Sequence, residues 1–264
     1  DMLYEETNFA VATDCFNSVL KRCLNFSSQF SDTLLYSYTS NLFEVFCAPT
    51  VDAIVGHFIT KIKDYKQALI ACETFNQLSM NNVMSLRYKQ IVQQEITIED
   101  FYKVANEHKC TLVIQYVSYN LAHIATWVIS PEIEEVFFEQ GKIDAKIFPL
   151  FNAPKVYMGS LQVGVEAMKL VYDSLIKPIE SYLPRDPEDL IYFIPHAELC
   201  RIPYHCLLDS VSNKFVIEKH TTATQLSLKS ILYSDHFQAQ YRMRDANQQP
   251  VQQEQLAAAM EVSA

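Results

Sequence analysis

The stretch from Leu190 to Asp209, LIYFIPHAELCRIPYHCLLD, limits what this chain can fold into more than any other. Leu190-Ile191-Tyr192-Phe193-Ile194 is an unbroken apolar run of β-branched and aromatic residues, the pattern of a strand covered on both faces. Pro195 ends it, and a short turn through His196 and Ala197 follows. Pro203 has no N–H to give to a ladder, so the apolar residues Leu199, Ile202, Pro203, Tyr204, Leu207 and Leu208 read as a loop and a return strand outside the sheet's centre. Asp209-Ser210 closes the unit with turn chemistry. Before it, residues 161 to 182 place Val165, Met168, Leu170, Val171, Leu175, Ile176 and Ile179 in a long helix that must kink or restart at Pro178. Helix followed by buried strand is the alternation of a layered α/β domain.

The N-terminal part is helical by pattern. Phe9, Ala12, Phe16, Val19, Leu20 and Cys23 form one apolar stripe between residues 8 and 25. A second helix starts at Ser31-Asp32, both good N-cap types, and runs to Pro49. Gly56, Ile59, Tyr65, Ala68 and Leu69 then fall where a TPR unit puts its small and aromatic packing residues, small ones where helices approach closely. Thr97-Ile98-Glu99-Asp100 caps a further helix through Phe101, Val104 and Ala105.

Beyond residue 108 the period changes. Leu112 to Tyr119, His123 to Ser130 and Glu135 to Glu139 read as three short strands, joined at Asn120 and at Ser130-Pro131. Trp127, the single tryptophan, reads as core packing. Lys214 to Thr224 reads as another strand, and Leu226, Leu228 and Ile231-Leu232 return to helical spacing.

In order and spacing these segments resemble the CHAT domain, the caspase-like family that follows TPR-type helical repeats. The family runs a strand into Pro-Asp-Gly, then Leu, then Ile-Pro-Phe and Ala-Leu. This chain has Pro195-His196-Ala197, Leu199, Ile202-Pro203-Tyr204 and Cys206-Leu207. The phrase Trp127-Val128-Ile129-Ser130-Pro131 also recurs in its opening strands. Residues 64 to 87, with Ala68-Leu69 and Glu73, are similar to its last helices, although Asn76 stands where the family has Arg, and Thr224-Gln225 replaces Pro-Ser.

The resemblance covers about residues 64 to 234. It implies an α/β fold: an all-α TPR-like helical segment over 1–92, the N-terminal part of a caspase-like layered domain over 97–236, and a disordered or weakly helical tail over 237–264. That tail holds seven glutamines and little to bury. In the family, the catalytic His and Cys lie downstream of the matched segment.

Composition and motif spacing exclude several classes. A formal charge of −10 argues against a surface that tracks nucleic-acid phosphates. The one dense basic cluster, Lys61, Lys63 and Lys66, lies beside Asp64 and reads as a solvated helix face. Four glycines, at 56, 141, 159 and 164, write no phosphate loop, dinucleotide fingerprint or nucleophile elbow. There is no run of eighteen apolar residues and no signal peptide, which leaves the cytoplasm as the expected compartment. Seven cysteines show no paired framework and read as reduced thiols. The first residue, Asp1, reads as the start of a fragment.

Local pairings of His and Cys supply no substitute site. His205-Cys206 would point to opposite faces of an extended segment, and no motif supports His196 or His220 with Cys200. His196, Cys200, His205 and Cys206 lack the two spaced pairs of a structural zinc site. Glu134-Glu135 and Glu99-Asp100 are expected to be solvated or to cap. The expected site list is therefore empty: no catalytic residue, cofactor or metal. The first expectation is a protein-interaction module with protein partners, no nucleic acid and no membrane. Self-association is expected through an unpaired apolar sheet edge beyond strand 190. The alternatives are a truncated piece of a CHAT cysteine peptidase and a helical-repeat adaptor with incidental strands.

Overall fold

A computed structural model describes residues 11, 14, 18, 48–83, 96–118, 123–143, 147, 161–232, 234 and 235. Of the helix expected over 8 to 25, only Val11, Asp14 and Ser18 are described, all helical. Most of the next helix and the tail lie outside the described residues.

The first element described along its length is α1 (Ala48–His57), in which Pro49 lies in the first turn. Proline has no N–H to lose in a first turn and its φ already suits a helix. A single π-helical turn (Phe58–Ile62) extends α1 and is stopped by Lys63, whose φ of 59° is left-handed. Then α2 (Tyr65–Val83) folds back against α1, its Gln67 N–H capped by Asp64 Oδ1 at 3.0 Å. Ile59, Ala68 and Leu69 are buried as expected. At Gly56 no described heavy atom lies within 4 Å of where its Cβ would stand. A mixed α/β fold is thus present, with a helical pair preceding the sheet.

After α3 (Ile98–His108) come β1 (Cys110–Val117), β2 (His123–Ile129) and β3 (Phe137–Lys142), an antiparallel meander. The first two lie close to their expected bounds; β3 starts two residues later, because residues 131–135 are spent on turns. Thr97 caps α3 as the sequence predicts, its N–H donating to Asp100 Oδ2 at 2.8 Å. Next, α4 (Leu161–Leu175) stops short of Pro178, and a 3₁₀ turn (Lys177–Tyr182) restarts the chain. Then β4 (Leu190–Pro195) inserts beside β1, parallel to it, with Cys110 opposite Leu190 and Gln115 opposite Pro195.

Two expectations fail beyond β4. The segment after Pro195 makes no return strand in the sheet; it forms two 3₁₀ turns, Ala197–Arg201 and Tyr204–Cys206, and one isolated bridge between Leu208 and Phe215. Pro195 and Pro203 break the extended ladder on either side, and the apolar residues bury as an irregular cap. The strand expected over 214 to 224 is a four-residue helical turn, α5 (Val216–Lys219), followed by β5 (Thr221–Thr224). Glu218 accepts the Phe215 N–H at 2.7 Å, a cap that closes the turn where β-branched Val216 and Ile217 favour extension.

The sheet order is β3-β2-β1-β4-β5, with β1, β4 and β5 parallel. β4 is therefore interior, with neighbours on both sides. The edge beside it is the short, threonine-rich β5, not an apolar strand, which removes the stated basis for self-association through that edge. Side chains alternate across the sheet. Val113, Val117, Ile124, Val128, Ile191 and Phe193 join Val171, Tyr172 and Leu175 of α4 in one buried cluster. The opposite face carries Leu112, Ile114, Tyr116, Trp127 and Ile194. Trp127, fully buried, donates from Nε1 to the Tyr65 carbonyl of α2 at 2.8 Å, and Phe138 stacks on Tyr65 with ring centroids 4.1 Å apart. The contacts divide the chain into residues 1–228 and a second unit, 229–264, in which 229–232 are helical.

Candidate functional site

Because β1, β4 and β5 run the same way, their C-terminal ends share one edge of the sheet, where open α/β sheets carry ligand sites. Polar residues converge there. Tyr116, near the end of β1, donates its hydroxyl to Asp52 Oδ1 of α1 at 2.5 Å. His196 leaves β4 through its N–H, which donates to the Gln115 carbonyl at 2.8 Å, and its ring lies 4.5 Å from that of Tyr116. One 3₁₀ turn later the Cys200 thiol donates to the Pro195 carbonyl at 3.2 Å. From α2, Cys72 and Glu73 are buried, with Cys72 in electrostatic range of Tyr116 and Cys200.

Burial decides the charge state of this group. It pushes the Tyr116 phenol far up, helped by the hydrogen bond to Asp52 and the charge of that carboxylate. It raises the Cys72 thiol, with Glu73 and Cys200 adding to the effect. It lowers His196 to about 3. Phenol, thiol and imidazole are all neutral near pH 7, and none of the three sits at the poise of a general base or a thiolate nucleophile.

Of the residue pairs weighed from sequence, only His196 and Cys200 fall at one end of the sheet. The parallel register sets Thr221 opposite Leu190, so His220 lies at the N-terminal end of β4. Six rises of strand separate its level from Pro195, about 20 Å at the usual rise per residue. His205 and Cys206 sit in a 3₁₀ turn rather than an extended segment; His205 is exposed and Cys206 half-buried. Among the described residues no three His, Cys, Asp or Glu side chains are grouped to hold a metal ion. Lys61, Lys63 and Lys66 are exposed, as a solvated surface requires.

Two polar networks escaped the sequence reading. Gln115, almost fully buried in β1, donates from Nε2 to the Leu175 carbonyl at 2.8 Å and to Thr126 Oγ1 at 3.3 Å, and accepts the Tyr204 hydroxyl at 2.7 Å. It fastens β1 to β2, to the end of α4 and to the cap after β4. The signal was a lone Gln inside the apolar run LVIQYV. At the other end, Lys219 Nζ meets Glu180, Asp209 Oδ2 at 3.1 Å and the Tyr172 hydroxyl at 2.9 Å. Burial works against the Asp209 charge, but hydrogen bonds from Ser212, Val211 and Lys219 hold its carboxyl well below the usual range. Burial likewise opposes the Lys219 ammonium, and its bonds to Glu180, Tyr172 and Asp209 outweigh that and raise it. This cluster staples α5 to the 3₁₀ turn after α4.

What the arrangement does chemically is hold helices against a sheet through neutral, hydrogen-bonded groups at one end and a saturated ion cluster at the other. Comparison with known proteins found no protein-family model that matches the chain and no curated protein that matches it.

Proposed function

We propose that this chain is a protein-interaction module, a TPR-like helical segment set on the N-terminal part of a CHAT-type, caspase-like α/β domain. The observation that carries the reading is the state of the strand-end site. Tyr116, Cys72 and His196 are neutral, and Tyr116 is committed to docking α1 through Asp52 rather than to an open chemical centre. The order of strand meander, helix and interior strand also supports it, since the resemblance places those elements in that sequence.

The test is twofold. Purified chain is offered a fluorogenic peptide library, alongside Cys200→Ala and Cys206→Ala variants, and the interaction reading expects no turnover from any of the three. Cross-linking mass spectrometry on the tagged chain in its native cells then expects links from its lysines to another protein. Turnover that disappears in the Cys200 variant overturns the reading.

A second reading, a piece of a CHAT cysteine peptidase, is favoured by one specific feature. His196 directly follows the C-terminal end of β4 and Cys200 lies in the 3₁₀ turn after it, at the edge where such sheets carry sites. Reading the neighbouring coding sequence decides it: a further strand ending in His and another ending in Cys supports the peptidase. The adaptor reading, with incidental strands, is weighed down by a five-stranded sheet that carries the buried cluster.

A further inference from the structure

We draw no further inference here: the strongest candidate, the outer edge of β5 with the exposed Leu226 beside it, has nothing in the structure to show what covers it.

Discussion

His196 and Gln115 show how two single residues set the stability of this fold. His196 is neutral when folded because burial lowers it to about 3, against about 6.5 in an unfolded chain. The unfolded state therefore binds the extra proton as pH falls through 6.5, and stability drains away from there down to about 3. The slope from this residue is about 1.4 kcal/mol per pH unit. His220 acts in the same direction, lowered by burial and then by the Lys219 charge, with Glu180 opposing. Urea midpoints at pH 7, 6 and 5 are expected to fall, and His196→Phe is expected to flatten the series; an unchanged slope in that variant would show that His196 is not the group responsible. Gln115→Leu takes the Gln115 hydrogen bonds away from the Tyr204 hydroxyl and the Leu175 carbonyl in the interior. It is expected to cost about 2–3 kcal/mol, from the usual penalty for unsatisfied buried groups. Adding Tyr204→Phe to it is expected to recover part of that loss, which a double-mutant cycle measures. A loss in the double variant equal to the sum of the singles would mean the two side chains are not coupled.

At the scale of elements, boundaries follow local chemistry that the sequence displays unevenly. Thr97 with Asp100 is readable as a cap and is one, the Asp100 carboxylate taking the Thr97 N–H; Asp100→Ala is expected to lower stability by about 1 kcal/mol in chemical denaturation. Gly56 reads as a packing glycine, yet a methyl group there meets no described atom. Gly56→Ala is therefore expected to raise stability by about 0.5–1 kcal/mol through helix propensity. A fall in melting temperature would restore the close-packing role. Two helix ends are hard to see because their left-handed stops are taken by Lys63 and Lys109 rather than glycine. The apolar strands β1, β2 and β4 were legible because doubly covered strands need continuous hydrophobicity. The region around Val216 and Ile217 misled because β-branched residues favour a strand, while the Glu218 cap and the Lys219 cluster favour a helical turn. Of the site, His196 and Cys200 were visible as residues. Their separation from His220 was not, since it depends on which strand pairs with β4 and in which direction.

For the whole molecule, the account rests on β4 lying inside a mixed sheet between β1 and β5, with helices on both faces. Everything at the strand-end site follows from that placement. It puts His196 against Tyr116, and it sends the chain after Pro195 into the Tyr204 turn that meets Gln115. Interior strands of a cooperative domain open only by global unfolding, whereas loops and edges exchange by local fluctuation. Native-state hydrogen exchange followed by mass spectrometry distinguishes the cases. Peptides spanning Cys110–Val117 and Leu190–Pro195 are predicted to exchange last and together, well after the edge strand Thr221–Thr224. Rapid exchange of Ile191 to Ile194, at the rate of the exposed loop near Val211, would contradict the fold and the site built on it.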